Sequence, residues 1–507
     1  MLRLLRSPAA WSAALVLLLA FAWLGSRGIW DPDEGRYTNV ALHMLESGDW
    51  LNPRRSDDVG HWTKPPLTYW AIAASIGTFG YSPWAARLPG ALAYLACVFF
   101  AWRLARRLAP GQERLAALAY ALMPLTFGAS QVITADAPLA LWTGLALWAY
   151  VEARFGPGRH IGAWLALMWA GFALAFLTKG PPALLLLLAL AVYDLLLPER
   201  RAHRLFTASG LLLFGLLALP WYVAVIRGHP GLLQHWLGDE VLHRIATNEF
   251  NRHGEWYGWL VVYGPTLTLG TLPWTPALWR WCRALPARLR RWRAGSARAA
   301  DRVELLLAVT VLLPLAMLLV ARSRMPLYVL PLLLPLAVVV ARQYAADARP
   351  APRWRFVLAW AAGLLAIKLG AVFWPTHKNA AGWAEAITAR AGTPVREIVF
   401  VDDMARYGLH LHLGATVERI TLTPSPQPAY DPVYDEPLAV ELAEREPHVV
   451  WITKQALWPQ VRAQIARNGY RAIPLGTPYR ERVLFRVVPV PALTGDGESG
   501  SAPPAPR

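Results

Sequence analysis

The chain has 507 residues, 55% of them hydrophobic and only 16% charged, with 26 Trp and a formal net charge of +17. An ordinary soluble domain carries roughly a quarter charged residues, so intrinsic disorder and a single soluble core are both excluded for most of this chain. Apolar runs of about 20 residues recur instead, which makes a polytopic membrane protein; the positive charge then belongs to loops kept on one side of a bilayer, and no nucleic-acid partner is expected.

The first run, Ala9 to Gly28, follows Arg3 and Arg6. It is long for the apolar part of a signal peptide and has no small-residue cleavage pattern before Trp30, so it reads as a retained helix with its N-terminus in the cytoplasm. Further runs lie near Pro83–Leu108, Leu115–Ala129, Ala137–Ala153, Ile161–Leu177, Pro181–Leu197, Leu205–Ile226, Trp256–Trp281, Val303–Val320, Pro326–Ala341 and Trp354–Trp374. That gives about 11 spans. The connections that fall on the N-terminal side are basic: Arg103–Arg107, Arg154–His160, Glu199–Arg204, Arg280–Arg302 and Arg342–Arg355. The opposite ones are poor in base, and the alternation holds at every turn. An odd count places the C-terminus on the far side. Two far-side loops are long, residues 30–82 and 227–255. Cys97 and Cys282 have no metal-ligand pattern near them and imply no disulfide framework.

After Trp374 the composition turns mixed and polar. Glu397–Val401, His448–Thr453 and Val483–Val488 read as short buried strands, and Trp383–Ala391 and Gln455–Asn468 as helices. The expectation is a membrane domain over 1–375, a small α/β domain over 376–490 on the far side, and a disordered tail over 491–507, rich in Pro, Gly, Ser and Ala.

The residues that could carry chemistry sit where positive charge is least expected. Trp30-Asp31-Pro32-Asp33-Glu34-Gly35-Arg36-Tyr37 follows the first span directly. Such acids can bind a cation, hold an Arg or act as a base; equally, Asp31 can cap a helix with Pro32 first and Asp33 and Glu34 in its first turn. His61-Trp62-Thr63-Lys64-Pro65-Pro66 sets one Lys among aromatics, either to bind a lipid phosphate or to snorkel. Asp136 opens a span with no basic neighbour in its loop, Lys179 lies in a short turn, and Arg322 and Arg324 share another turn with Tyr328. Together with Arg36, Lys64 and Arg244, these cations give the far face the character of a site for an anionic amphiphile with its tail among the helices.

Eight segments then match one family in order: Asp31–Tyr37 (DPDEGRY), Ser47–Asn52 (SGDWLN), Lys64–Trp70 (KPPLTYW), Thr134–Pro138 (TADAP), Phe176–Pro181 (FLTKGP), Pro220–Tyr222 (PWY), Leu272–Trp274 (LPW) and Ser323–Pro331 (SRMPLYVLP). The chain resembles bacterial membrane glycosyltransferases of the GT-C fold, nearest the lipid A 4-amino-4-deoxy-L-arabinose transferase branch related to protein O-mannosyltransferases. The resemblance implies transfer of a sugar from a polyprenyl (undecaprenyl) phosphate donor to a glycolipid or glycan acceptor at the periplasmic face of a bacterial inner membrane, with lipid A or another lipopolysaccharide component as acceptor. It implies Asp33 as catalytic carboxylate, Asp136 as a second functional acid, Lys64, Arg244 and Tyr328 as holders of the carrier phosphate, and Arg36 beside them. Glu34, Lys179, Arg322 and Arg324 are further candidates. The relative's metal-ligand positions correspond here to Thr63 and Val241, with His61 and His243 out of register, so no metal and no other cofactor is expected. Two alternatives stand beside this reading: a protein O-glycosyltransferase of the same fold, and a transporter or flippase for a lipid-linked sugar. A transporter should show repeated halves and midplane charges, neither of which is evident.

Overall fold

The computed structural model describes residues 8–56, 59–197, 205–236, 238, 253–423 and 435–490. They divide into two compact units. The first runs up to Trp383 and also takes in Arg406–Gly414; the second comprises Ala384–Ala405, 415–423 and 435–490. The proposed tail, 491–507, lies outside the described residues.

The first unit is helical: α1 (Pro8–Phe21), α2 (Asp33–Ser47), α3 (Leu67–Phe79), α4 (Pro83–Leu108), α5 (Glu113–Leu122), α6 (Pro124–Ala129), α7 (Asp136–Phe155), α8 (Ile161–Lys179), α9 (Leu184–Leu196), α10 (Ala208–Gly228), α11 (Gly258–Leu269), α12 (Thr275–Arg291), α13 (Arg302–Val320), α14 (Leu333–Ala346) and α15 (Trp354–Phe373). Among the described residues, six helical segments are long and apolar enough to cross a membrane: α4, α8, α10, α13, α15, and α14 with the 3-10 turn before it, Pro326–Ala346. Three shorter apolar helices lie at Ala9–Phe21, Leu67–Phe79 and Pro181–Leu196.

The expected runs break at turns that hold a proline. Leu115–Ala129 divides at Met123, which is extended, because Pro124 lacks an N–H and opens α6. Trp256–Trp281 divides between α11 and α12, and α12 is amphipathic, with Arg288, Arg290 and Arg291 in its last turn. The long segment 30–82 carries two helices, α2 and α3, of which α3 is apolar.

The core joins α1, α4, α5, α7, α8, α13 and α14 through tightly buried Leu, Val, Ala and aromatic side chains. Helix α8 lies close on α7 at Gly171, where a β-carbon would come within 3.0 Å of the Trp142 carbonyl and the Ala146 nitrogen. Two of the basic loop ends are neutralised by buried acids. Arg103 and Arg107 of α4 hold Glu152 of α7 at 3.0 and 2.9 Å, and Arg154 of α7 holds Asp194 of α9 at 2.8 Å.

The second unit is a six-stranded sheet: β1 (Glu397–Val401), β2 (Thr416–Thr421), β3 (Glu436–Pro437), β4 (Val449–Lys454), β5 (Tyr470–Pro474) and β6 (Arg482–Pro489), in the order β3-β2-β1-β4-β6-β5. The β1–β2, β1–β4 and β2–β3 pairings are parallel, and β6 runs antiparallel to β4 and β5. The fully buried β1 reads as an apolar run after its first residue, Glu397, as a central parallel strand should. The half-exposed β2 and β5 carry Glu418, Arg419 and Arg471, which hid them from a hydrophobicity reading.

Candidate active site

The three acids after α1 meet three different fates. Glu34 is 1% exposed and clamped between Arg27 and Arg87, with oxygen–nitrogen distances of 2.7 to 3.0 Å. It also accepts the backbone N–H groups of Trp30 (2.9 Å) and Ile133 (3.2 Å). Burial alone would raise its pKa, but the two guanidiniums outweigh burial and hold it down at about 2. Glu34 is therefore a fixed anion joining the segment after α1, α2, α4 and the turn before α7. Asp31 does not cap α2, as its sequence position suggested. It is 1% exposed, and one carboxylate oxygen accepts the N–H of Gly408 at 3.1 Å. Burial pushes its pKa up to about 8, so the carboxyl is readily protonated. Asp33 is the acid that faces outward: its side chain is 58% exposed and pairs with Arg36 at 2.9 Å. An ion pair this exposed holds its partners weakly and exchanges readily.

One turn on, Tyr37 links Asp33 to the second acid. Its phenol hydrogen-bonds the backbone of Ala135 and has the Asp136 and Asp33 carboxylates as electrostatic neighbours. Burial and then those two anions push its pKa up, so it stays a neutral phenol. Asp136, at the first turn of α7, is ion-paired with Lys179 at the last turn of α8. The Lys179 ammonium sits 4.4 Å from the centroid of the Tyr328 ring, a cation–π arrangement. Asp136, Lys179 and Tyr328, expected to act separately, thus form one group.

The Lys64 loop is built by aromatic donors. The indole nitrogens of Trp221, Trp70 and Trp236 donate to the carbonyls of Leu51 (2.9 Å), Trp50 (2.7 Å) and Trp62 (2.7 Å). The SGDWLN and PWY segments, far apart in sequence, therefore interlock. Buried His61 shares a 2.9 Å hydrogen bond with Thr63 and packs edge-on against Tyr69, which in turn meets Tyr37 at 5.4 Å. Burial, then Arg36, Arg55 and Lys64, press the His61 pKa well below its ordinary value. His61 is therefore a neutral imidazole within electrostatic reach of those three cations. Lys64 itself donates to the Thr63 carbonyl at 2.6 Å.

Other candidates have structural duties. Arg324 is 4% exposed and donates to the carbonyls of His253 (2.5 Å), Glu255 (2.9 Å) and Leu319 (3.1 Å), closing a turn. Arg322 is exposed. Arg244, Val241 and His243 lie outside the described residues. The sequence reading missed Arg27 and Arg87. Arg87 was detectable as an arginine within an otherwise apolar span, a placement that needs a buried partner. It also missed His410, which hydrogen-bonds Asn39 (2.8 Å) and Glu46 (3.0 Å) of α2.

Known proteins resemble this chain. The family described as dolichyl-phosphate-mannose-protein mannosyltransferase matches residues 63–226. An undecaprenyl phosphate-alpha-4-amino-4-deoxy-L-arabinose arabinosyl transferase of Pseudomonas aeruginosa is 32% identical over 337 residues, 64% of this chain and 58% of that protein. Its namesake in Yersinia enterocolitica is 30% identical over 358 residues, 68% of this chain and 61% of that one. The chain therefore spans about three fifths of the length of these relatives. The crystal structure of ArnT from Cupriavidus metallidurans bound to undecaprenyl phosphate superimposes with a TM-score of 0.73 at 19% identity, covering 94% of this chain and 98% of that one. The chain is thus a membrane protein of the GT-C fold, similar in sequence and architecture to the undecaprenyl phosphate-aminoarabinose arabinosyl transferases.

Proposed function

We propose that the protein is an integral-membrane glycosyltransferase that moves a sugar from undecaprenyl phosphate to a cell-envelope acceptor, lipid A or another lipopolysaccharide component. The observation that carries this reading is the sorting of the three acids. Glu34 and Asp31 are buried and engaged, while Asp33 is presented on the same turn, paired with Arg36 and joined through Tyr37 to Asp136, which holds Lys179 against the Tyr328 ring. In the reaction, the bond between the sugar's anomeric carbon and the carrier phosphate oxygen breaks, and a new bond forms to an acceptor oxygen. The phosphate changes from diester to monoester and gains negative charge, which fixed cations stabilise best in a site of low dielectric. Lys64, Arg36 and Arg244 are assigned to that charge, with Tyr328 and Lys179 beside it. Asp33 takes the proton of an acceptor hydroxyl, or orients an acceptor phosphate that has no proton to lose. Thr63 supplies a hydroxyl where the aminoarabinose branch has a metal ligand, so the transfer step is assigned no metal and no other cofactor.

The orientation follows from charge. The basic connections belong on the cytoplasmic side of the inner membrane with the N-terminus, and the site and the C-terminal sheet belong on the periplasmic side. A second reading, transfer to a protein hydroxyl, draws support from the mannosyltransferase family matched at residues 63–226.

The test compares cells carrying the wild type with cells carrying Asp33→Asn, by mass spectrometry of lipid A, core glycolipid and envelope proteins. A sugar-sized mass present with the wild type and lost in the variant, at equal membrane abundance, identifies sugar and acceptor together. Unchanged spectra for every acceptor, or turnover retained in Asp33→Asn, overturns the assignment of Asp33. Initial rates in detergent are expected to be unaffected by a chelator.

A further inference from the structure

The second unit contains a group of carboxylates that the transfer reaction does not use. Glu397 begins β1, Glu418 lies in β2, and Glu441 lies in the short helix Leu438–Glu444 that follows β3. The register of β1 on β2 sets Val399 against Glu418, and side chains alternate along a strand. Glu397, Val399 and Val401 therefore share one face of the sheet, with Glu418 and Ile420 beside them. That face is covered by the helix, whose Leu438 and Leu442 pack on Val399, Val401 and Ile420. The three carboxylates thus stand together at the end of a hydrophobic interface. One oxygen from each lies within 4.8 Å of the other two, and Glu436, Glu441 and Glu444 form a second such trio sharing Glu441.

Burial is what separates this group from an ordinary acidic surface. Glu397 is 3% exposed and Glu441 4% exposed. Glu397 shares a side-chain hydrogen bond with Glu446 and Glu441 one with Glu418, yet each keeps a second buried carboxylate oxygen with no partner among the described residues. Their strongest electrostatic neighbours are further carboxylates: Glu418, Glu446 and Glu444 around Glu397, and Glu397, Glu418 and Glu444 around Glu441. Burying an isolated carboxylate is costly unless a partner or a cation compensates. Burial and this mutual repulsion push both carboxyls upward in pKa. No basic side chain offsets the repulsion among those strongest neighbours. A single multivalent ion would satisfy both orphaned oxygens at once.

We infer that Glu397, Glu418 and Glu441 form a binding site for a hard divalent cation, calcium in preference to magnesium, completed by Glu436 or Glu444. The donor set is all carboxylate oxygen, with no nitrogen or sulfur, which selects hard cations over zinc or copper. Several carboxylates converging from two strands and a helix suit calcium, which takes six to eight oxygens in flexible geometry. Magnesium demands a tighter octahedron and keeps its water. The ion would fasten the helix Leu438–Glu444 to the parallel half of the sheet. This inference does not depend on the proposed transferase chemistry.

The experiment uses the full chain in a non-ionic detergent, titrated with calcium chloride and separately with magnesium chloride by calorimetry, with thermal melts alongside. The wild type is expected to bind one calcium per chain and to melt higher in calcium than in a chelator. Glu441→Gln and Glu397→Gln should each weaken calcium binding at least tenfold. The double variant Glu397→Gln/Glu441→Gln keeps the volume and removes the repulsion. It should melt at or above the wild type in chelator and gain nothing from calcium. Absence of calcium binding by the folded wild type at millimolar concentration, or equal binding by wild type and double variant, overturns the inference and leaves the cluster held by protons alone.

Discussion

Asp33 and Glu34 are adjacent in the chain and opposite in physics. Asp33 is held loosely by one exposed partner, whereas Glu34 is enclosed by two guanidiniums and two backbone N–H groups. The Glu34 pKa lies at about 2, below an ordinary 4.5. Its contribution to stability is therefore complete above about pH 4.5 and is lost as the pH falls through 2, an effect on the order of 3 kcal/mol. Glu34→Gln should melt well below the wild type at pH 7, and the two melting curves should converge as the pH approaches 2. A constant gap across that range would mean that the charge of Glu34 is not what holds the clamp. At this scale the sequence was partly legible. The DPDEGRY run marked a turn in need of an explanation, because acids and an Arg directly after a span need a reason. Which acid is buried was not legible, since the answer lies with Arg27, Arg87 and Gly408, two of them more than 50 residues away.

The helices are tied at opposite ends of α7. At its first turn Asp136 meets Lys179 of α8, and near its last turn Glu152 draws in Arg103 and Arg107 of α4 while Arg154 reaches Asp194 of α9. Trp148 adds its indole nitrogen to Glu152 at 3.2 Å. Glu152→Gln removes the charge and keeps the shape, leaving two guanidiniums facing each other. The expected cost is roughly 1–3 kcal/mol, tempered by the partial exposure of both arginines. The readout is a lower melting temperature in detergent, with transfer at low temperature unchanged. An unchanged melting temperature would show that these basic residues act only in orienting the chain during insertion. Hydropathy found the long spans, because an apolar helix that crosses a bilayer needs about 20 residues whatever surrounds it. It misjudged α5 with α6 and α11 with α12, where Pro124 and the turn over 270–274, which holds Pro273, interrupt an otherwise apolar stretch.

Across the whole molecule, chain order and unit boundaries do not coincide. Arg406–Gly414 follows the first strand of the sheet, yet belongs to the helical unit, where Gly408 donates to Asp31 and His410 bonds Asn39 and Glu46. Arg406 is wholly buried there and stacks 3.9 Å from the centroid of the Trp383 ring. Composition marked the change after Trp374 but not this return, because nine residues of mixed polarity carry no periodic signal. A chain truncated after residue 383 should still enter the membrane. With α2 deprived of these partners, it should transfer sugar at least about tenfold more slowly at equal abundance; a rate loss of that size corresponds to about 1.4 kcal/mol. Full activity in the truncated chain would make the returning segment dispensable.

The bond from Gly408 to Asp31 joins residues 377 positions apart. At synthesis rates of about 5–20 residues per second, roughly 20–75 s separate the emergence of the two ends. During that interval α2 can already rest on Arg87 and the Lys64 loop, but Asp31 and Asn39 still await their last neighbours. Assembly of the turn that carries Asp31 and Asp33 is consequently a late event in the life of each nascent chain, and a ribosome that stalls before Gly408 emerges leaves an inserted membrane domain whose helix α2 still lacks its last partners.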